Sequence, residues 1–421
     1  MTTSTSEALL DEVYYAYNKV PFFKKHIDKS GVSINQIMDS KDISLLPLTE
    51  KRDFRKHFPV GVFAQGYSMG SPLLTRSQSS GTTGDRLVTF ELGMLLIGRA
   101  VACTEVNAEV EHAFVKTQRK IVRYAAPNCS DVECANPNSS KEDRTLSDGT
   151  LVLPVYHDLL TTSEHLIETA IKEIIEYQPD LYYVDPTHFA FLIGEFQKRG
   201  IIPPKAPIIC SYSSVTALNR RRILSGFDQA VTFSELLSCS EMGWVAMECC
   251  HGALHLNDSS FHIEILNDNG EQVEHGEIGE LVISSIDQGA VPHIRYKTGD
   301  YLRLDETPCR CGHSHRKVSV IGRASNCIAL GDGTQVWAST LDSLIGAPKG
   351  LKMYQLHQHT NDYFSLKLIA EKDFEQTQLS ASLAKLKSLL GLNSHLDISY
   401  VDYIATERSG KFQIIKTDLN G

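Results

Sequence analysis

The sequence predicts an α/β protein: a large N-terminal domain of helix-covered sheets with a β subdomain, then a small C-terminal α+β domain. Three observations lead there. Between residues 161 and 223, short apolar runs alternate with amphipathic stretches, the order expected of a parallel sheet covered by helices. Two alternating runs, 261–265 and 280–284, flank Asn267-Asp268-Asn269-Gly270 and read as antiparallel strands around a hairpin-type turn. Beyond residue 322 the pattern becomes strands at 354–358, 363–369 and 396–401 with one helix at 374–390.

The elements follow in order. Residues 7–28 read as helix, because Leu9, Val13, Ala16 and Val20 recur at helical spacing and Pro21 marks an end or kink. Thr49 suits the cap of a helix beginning near Lys51 and Asp53. Residues 92–106 read as helix with Leu95, Leu96, Ala100 and Val101 inward. Residues 120–125 suit a strand, and 128–148 a polar loop that carries Cys129 and Cys134. Thr161, with Glu164 three residues on, predicts a capped helix that Pro179 stops. Residues 181–184 and 208–212 are strands. Asp185-Pro186 opens one helix, and 220–223 belong to another.

A chain of 421 residues is long enough for a large core and a smaller unit. Its formal net charge of −10 argues against nucleic acid or anionic membrane as a partner. No apolar run has the length of a membrane span. The opening Met-Thr-Thr-Ser-Thr-Ser lacks the character of a secretion signal, so a cytoplasmic location is expected. Ten cysteines over this length fit thiols or metal ligands better than a disulfide framework.

The chemistry is concentrated in blocks. Ser77-Gln78-Ser79-Ser80-Gly81-Thr82-Thr83-Gly84 offers glycines for tight backbone turning and hydroxyls for neutral donation, as a phosphate needs. It has no lysine of the Gly-Lys-Ser/Thr type. Further on come Ser240-Glu241, then Tyr296-Lys297-Thr298-Gly299-Asp300, Gly322-Arg323 and Ser409-Gly410-Lys411. Taken singly, these are a polar loop, a solvated carboxylate, a common turn and a surface lysine. In this order they resemble the adenylate-forming enzyme superfamily over nearly the whole chain, in particular its phenylacetate-CoA ligase-like, aryl acid-activating branch.

The resemblance implies a role for each residue. Ser79, Ser80, Gly81, Thr82, Thr83 and Gly84 would cradle the outgoing phosphates of ATP. Ser240 would bond the α-phosphate, and Glu241 would hold Mg²⁺. Asp300 would accept from the ribose hydroxyls, with Arg323 against ribose or phosphate. Lys411 would bridge carboxylate and α-phosphate as charge develops, with Lys416 a weaker competitor. Residues 1–322 would form the large domain and 323–421 a mobile C-terminal lid that closes about a hinge at 323–326. The branch often carries a Cys/His cluster. Here Cys249, His255, Cys309 and Cys311 would hold a structural Zn²⁺, with Cys250, His251, His313 and His315 as alternates.

The sequence also departs from the family pattern. Ser211-Tyr212-Ser213-Ser214 stands where Gly-Ala-Glu-Pro is usual, so Tyr212 and Ser213 become candidates for the adenine side. Leu237-Ser238-Cys239 replaces the usual aromatic before Ser240. Ser325 stands at the hinge position, and Gly331-Asp332-Gly333 replaces Arg-Gly with one residue added. Tyr183, Tyr212 and Leu237 are candidate walls for the acid.

These features imply ATP-dependent formation of an aryl acyl-AMP with pyrophosphate release. The altered 331–333 segment favours handoff to a downstream reductase, amine or carrier thiol, as in aromatic natural-product routes to phenazine- or antibiotic-type compounds. A complete aryl-CoA ligase, with CoA as acceptor, is the alternative. A degenerate nucleotide-binding module is the rival without catalysis. The expected partners are the aryl acid, such an acceptor and a second copy in a homodimer.

Overall fold

The computed structural model describes residues 5–78, 86–127, 136–391 and 393–419. The chain forms two compact units: Met1–Glu111 with Leu236–Ser319, and His112–Glu235 with Val320–Gly421. Among the described residues no helix is long and apolar enough to cross a membrane.

The first unit opens with two helices, Thr5–Lys19 and Pro21–Ser30, rather than one segment across 7–28. Val20 between them is extended, and Pro21 takes the first helical position, where its missing N–H costs nothing. Leu9, Val13 and Ala16 of the first helix and Phe22, Phe23 and Ile27 of the second are buried. The next helix, Lys51–His57, is not capped by Thr49. Its entrance is Glu50, whose backbone N–H donates to Asp53 Oδ2 at 2.9 Å. Thr49 is drawn into the sheet instead: its N–H donates to the Arg295 carbonyl at 3.0 Å and its hydroxyl to the Ile294 carbonyl at 2.9 Å.

Helix Gly93–Thr104 forms where expected, but its buried face is Arg99, Ala100, Cys103 and Thr104. Leu95, Leu96 and Val101 are only half-buried. Arg99 turns the helix inward because it has partners there. Its guanidinium reaches Asp287 at 2.6 and 2.8 Å, Glu91 at 3.4 Å and the Met242 carbonyl at 3.2 Å. A buried guanidinium without such partners would cost several kcal/mol, roughly. Gly289 is required beside them, since a Cβ there would lie 2.4 Å from the Glu91 carboxylate.

The antiparallel part of this unit pairs Phe261–Leu266 with Ile278–Ser285, and the latter with Tyr296–Leu304. The Asn267–Gly270 turn closes only the bridge Leu266↔Gln272, and the chain runs on before the second strand begins. Leu254–Leu256 pairs with the start of Lys317–Arg323 and with Gly243–Glu248.

The second unit contains the expected parallel strands. Leu151–Val152, Ile121–Tyr124, Leu181–Val184, Ile208–Cys210 and the start of Phe233–Cys239 are neighbours in that order. Helices Glu164–Tyr177, Pro186–Lys198 and Ala217–Leu224 accompany them. Val122, Ile171, Tyr182, Phe189, Phe196 and Ile208 are fully or almost fully enclosed in this core. Thr161 is not the cap of the first of these helices. It ends a short 3₁₀ turn, Leu159–Thr161, and Ser163 holds the cap position.

Its C-terminal part is a four-stranded sheet in the order His395–Tyr400, Tyr363–Ala370, Leu351–Gln358, Ile415–Thr417. Helix Ser380–Leu390 is shorter than the 374–390 stretch suggested, because a 3₁₀ turn, Gln376–Leu379, precedes it. Leu218 shares one apolar core with Ile328, Leu341 and Tyr354. The Asp342 carboxylate accepts from the Ala217 N–H at 3.0 and 3.1 Å, and Arg222 Nη1 donates to the Lys352 carbonyl at 3.0 Å.

Candidate active site

Strand Phe233–Cys239 reverses at Ser240-Glu241-Met242 and returns as Gly243–Glu248, with Gly243 at φ +87° closing the turn. The turn lifts Ser240 and Glu241 out of the ladder. Ser240 Oγ donates to the Gln78 carbonyl at 3.4 Å. Gln78 ends strand Leu74–Gln78 and pairs with Val88 across the next strand. Ser240 therefore sits at the foot of the glycine-rich segment. Ser79, Ser80, Gly81, Thr82, Thr83 and Gly84 themselves lie outside the described residues, as do Cys129 and Cys134.

Glu241 is 6% exposed. Tyr296 Oη donates to its Oε1 at 3.0 Å, and Lys51 Nζ approaches the same oxygen at 3.8 Å. Tyr296 is wedged edge-on against Phe54 and His293 at 5.4 and 5.0 Å, and His293 stacks on Phe54 at 4.4 Å. Burial pushes the His293 imidazole down to about 3, so it is a neutral wall here.

The Thr298-Gly299-Asp300 run is a break in register. Glu280 pairs with Tyr301 and Val282 with Lys297, so three residues of strand Tyr296–Leu304 oppose Leu281 alone. Each of the three has a job in that bulge. Thr298 Oγ1 donates to the Leu281 carbonyl at 3.1 Å and accepts from the Asp300 N–H at 3.1 Å. Gly299 takes φ +80°, which a side chain would resist. Asp300 is left half-exposed, its carboxylate released from the strand's alternation.

In the second unit, Gly322-Arg323 ends strand Lys317–Arg323, and Arg323 is exposed. A Cβ at Gly322 would lie 3.3 Å from the Trp337 ring. Ser325 follows in the 3₁₀ turn Ala324–Asn326. Gly331-Asp332-Gly333 forms the turn between the paired strands Ile328–Ala329 and Gln335–Val336, and Asp332 Oδ1 accepts from the Thr334 N–H at 2.9 Å.

The loop Ser409-Gly410-Lys411 lies against the chain leaving strand Ile121–Tyr124. A Cβ at Gly410, whose φ is +77°, would come within 2.3 Å of Ala126 Cβ and 3.0 Å of the His157 carbonyl. Ser409 Oγ accepts from the Lys411 N–H at 3.4 Å, and the Lys411 carbonyl accepts from the Glu407 N–H at 2.9 Å. Lys411 is half-buried. Lys416 differs: its Nζ lies 2.6 Å from Glu407 Oε1.

Tyr212 holds φ +72° just beyond strand Ile208–Cys210, and its ring centre is 5.2 Å from that of Tyr183. Ser213 Oγ donates to Asp185 Oδ2 at 2.7 Å. Asp185 Oδ1 caps helix Pro186–Lys198 through the Thr187 and His188 N–H groups and lies 3.0 Å from His188 Nδ1. Burial opposes ionisation of Asp185, but His188 and these donors outweigh it and hold the pKa down. Leu237 is half-buried in its strand.

Cys249, His255, Cys309 and Cys311 converge in the first unit, with ligand atoms within 4.8 Å of one another. Cys249 Sγ is 3.6 Å from Cys309 Sγ, and Cys311 Sγ is 3.4 Å from His255 Nε2. His255 Nδ1 meets the His315 carbonyl at 3.0 Å, which fixes the tautomer and turns Nε2 toward the sulfurs. Burial opposes ionisation of Cys309, yet the Cys311 N–H and the neighbouring His255, Cys311 and Cys249 side chains pull it down to about 6. His315 thus serves the set through its backbone, with Nε2 engaged by Ser259 Oγ at 2.8 Å.

Comparison with known proteins gives matches to the C-terminal part and to most of the chain. Residues 329–418 match the family described as the CapK C-terminal domain. A phenylacetate-coenzyme A ligase of Thermus thermophilus is 25% identical over 381 residues, covering 87% of this chain and 81% of its own. One from Pseudomonas putida is 25% identical, covering 84% of this chain and 78% of its own. Among solved structures, a 2-hydroxyisobutyryl-CoA ligase in the postadenylation state with 2-HIB-AMP has a TM-score of 0.71 at 14% identity, over 95% of this chain and 86% of its own. An anthranilate CoA ligase with anthranoyl-AMP has a TM-score of 0.54 at 12% identity, over 80% and 65%. The chain is similar to the phenylacetate-coenzyme A ligases over most of its length, and its fold is that of the adenylate-forming ligases.

As an AMP-forming, acyl-CoA ligase-like enzyme, it contains contacts around these motifs that sequence reasoning missed. Lys51 and Tyr296 both address Glu241, but the chain separates them from it too widely for spacing to reveal. The Asp185–Ser213 contact was also missed. The Asp185-Pro186 helix start was its only signal. The ligase-like enzyme's Arg99–Asp287–Glu91 network had none, since a lone arginine in an apolar helix reads as a surface residue.

Proposed function

We propose that this enzyme activates an aryl carboxylic acid as its acyl-AMP and transfers the acyl group to the thiol of CoA. The observation that carries the adenylation half is the joining of Ser240-Glu241 to Tyr296 and to the end of strand Leu74–Gln78. That arrangement sets a carboxylate and a hydroxyl at the foot of the glycine-rich segment.

In this reading Ser79, Ser80, Gly81, Thr82, Thr83 and Gly84 receive the β- and γ-phosphates, and Ser240 donates to the α-phosphate. Glu241 is the ligand for Mg²⁺, an ion that suits a carboxylate and the phosphate oxygens. When bound, Mg²⁺ withdraws charge from the phosphates. Lys51 and Tyr296 hold the Glu241 carboxylate in place. Asp300 accepts from the ribose hydroxyls, and Arg323 meets ribose or phosphate. Tyr212 and Ser213 border the adenine, and Tyr183, Tyr212 and Leu237 line the path of the acid. Lys411 brings its ammonium between carboxylate and α-phosphate, where negative charge grows. Residues 323–421 act as the lid that carries it.

The donor set Cys249, His255, Cys309 and Cys311 fits Zn²⁺, with soft thiolates and an oriented imidazole. Four protein ligands leave no open position, so the ion's contribution is structural.

The phenylacetate-coenzyme A ligases among the relatives support CoA as acceptor. The Gly331-Asp332-Gly333 turn supports a second reading, handoff of the adenylate to a downstream reductase, amine or carrier thiol in aromatic natural-product biosynthesis. Both are tested by incubating the protein with ATP, Mg²⁺ and a panel of aryl and alkyl acids, with and without CoA. Acid-dependent pyrophosphate release is expected, strongest for an aryl acid. A product with the mass of acyl-CoA, formed as fast as pyrophosphate, supports transfer to CoA. Acyl-AMP that persists in the presence of CoA supports handoff. A folded protein that releases no pyrophosphate across the panel would end the proposal.

A further inference from the structure

Outside the adenylation residues, a second set of ligand atoms converges in the C-terminal sheet. His357 lies near the end of strand Leu351–Gln358, His359 just beyond it, and Asp418 just beyond strand Ile415–Thr417. Residues two apart on an extended chain project to the same side, so His357 and His359 present two imidazoles together. Their ring centres are 4.1 Å apart. The parallel pairing of Gln358 with Thr417 brings Asp418 beside them. One ligand atom from each of the three residues lies within 4.8 Å of the others.

The details favour a metal over a simple surface ion pair. His357 Nε2 is 2.9 Å from Asp418 Oδ1, and His359 Nδ1 is 3.3 Å from Asp418 Oδ2. A tetrahedral Zn²⁺ with bonds of about 2.0–2.1 Å keeps its ligand atoms about 3.3 Å apart, so little movement would admit the ion. The outer nitrogen of His359 is already held: Nε2 meets Ser365 Oγ at 2.8 Å. Such a hydrogen bond fixes the ring and frees the opposite nitrogen for a metal. Asp418 is anchored as well. Its N–H donates to the Gln358 carbonyl at 3.0 Å, and Thr417 Oγ1 donates to Gln358 Oε1 at 2.9 Å. Both histidines are half-buried and Asp418 is exposed, so solvent reaches the three ligands. Two imidazoles and one carboxylate suit a borderline ion of the zinc class better than Mg²⁺ or Ca²⁺.

We propose that His357, His359 and Asp418 bind a zinc-class divalent ion that fastens the last strand, Ile415–Thr417, to strand Leu351–Gln358. The fastened strand follows the loop that bears Lys411, so the ion steadies the chain on the C-terminal side of that lysine. Binding is ligation alone, with no change of oxidation state.

The test is a Zn²⁺ titration of the full-length protein against a chromophoric chelator. The wild type should take up one equivalent more than a His357→Gln/His359→Gln variant, with micromolar or tighter affinity. Asp418→Asn should weaken that equivalent by about tenfold or more, at least the cost of losing an outer-shell partner. Co²⁺ separates the two sites. The extra equivalent should add d–d absorption without enlarging the sulfur-to-cobalt band that reports on Cys249, Cys309 and Cys311. Equal uptake by wild type and the double variant would overturn the proposal, as would a thiolate band growing with the extra equivalent. A second readout needs no variant. Zn²⁺ should slow amide exchange across 415–419 in the wild type once the cysteine set is saturated, and no slowing there would overturn the proposal even if the variants misfold.

Discussion

The Tyr296 hydroxyl donates to Glu241 Oε1 at 3.0 Å, joining two motifs that lie far apart in the chain. The same tyrosine is gripped by Phe54 and His293. The proposed Mg²⁺ ligand is therefore aimed by a tyrosine that ring packing holds in place. Tyr296→Phe should keep the ring packing and remove only the donor. We expect the KM for MgATP to rise about tenfold or less, in keeping with loss of one hydrogen bond to a charged group. Acid KM should hardly change. Steady-state kinetics in both substrates, with circular dichroism as the folding control, checks this.

Under the proposed role of Lys411, Lys411→Ala should lower acyl-AMP formation by roughly 10²-fold or more, the scale of losing a preorganised charge. ATP binding should survive, since the phosphate, ribose and Mg²⁺ contacts are assigned to other residues. Lys416→Ala should have a small effect, because Glu407 already engages Lys416. A near-normal rate in Lys411→Ala that collapses only when Lys416 is also replaced would move the role to an interchangeable pair.

Gly410→Val tests the seating of the same loop without touching the lysine. The new Cβ would meet Ala126 Cβ at 2.3 Å, at a φ that side chains resist. The loop must shift. Adenylation should drop toward the Lys411→Ala level while the melting transition moves by only a few degrees. A rate within about twofold of wild type would mean that this seating has no bearing on the lysine.

For the cysteine set, elemental analysis of protein prepared with trace zinc should find about one thiolate-bound zinc per chain. Cys249→Ser and Cys309→Ser should each lower it. Loss of the metal should depress stability before it alters the chemistry, because the unfolded chain lacks the assembled site. Full metal content in both variants would remove the assignment.

Glu12 gives a pH dependence with a definite sign. Burial pushes its carboxyl up from 4.5 to about 7, against the pull of Ser285 Oγ and the Gln288 N–H. Below the unfolded pKa both states hold the proton. Between there and about 7 the unfolded chain has released it and the folded protein keeps it. Stability through this group therefore falls as pH rises across that window, by a total on the order of 3 kcal/mol. Glu12→Gln should flatten that slope. Urea unfolding at the two ends of the window, in both proteins, measures it.

Much of the architecture was legible in the sequence because periodicity writes it there. The parallel strands stand out as continuous apolar runs, and the antiparallel pair and the C-terminal sheet as apolar alternation. Helix entrances were harder. Thr49 and Thr161 are good caps by residue type, yet Thr49 finds carbonyl and amide partners in the sheet and Thr161 is spent on a 3₁₀ turn, so Glu50 and Ser163 hold the positions. The candidate site residues could be named where they fall in contiguous motifs. Lys51 beside Glu241, and Arg99 between the Asp287 and Glu91 carboxylates, depend on long-range closure that no local spacing announces. The proposed walls of the acid site were the hardest to read, since apolar walls and apolar core are written in the same residues.

The bulge at Thr298-Gly299-Asp300 separates two kinds of selection on one strand. The ladder closes again on either side of it, and across the bulge Thr298 Oγ1 keeps one bond to the Leu281 carbonyl. Drift at Tyr301 or Lys297 disturbs the pairing and is felt as folding. Drift at the Asp300 side chain, under its proposed contact with the ribose, is felt as nucleotide binding. A descendant that abandoned catalysis would keep this sheet and lose the aspartate first, leaving a shortened or scrambled bulge in an otherwise unchanged strand. Among distant relatives, the length and content of this one excursion should therefore sort working enzymes from retired ones more cleanly than overall identity does.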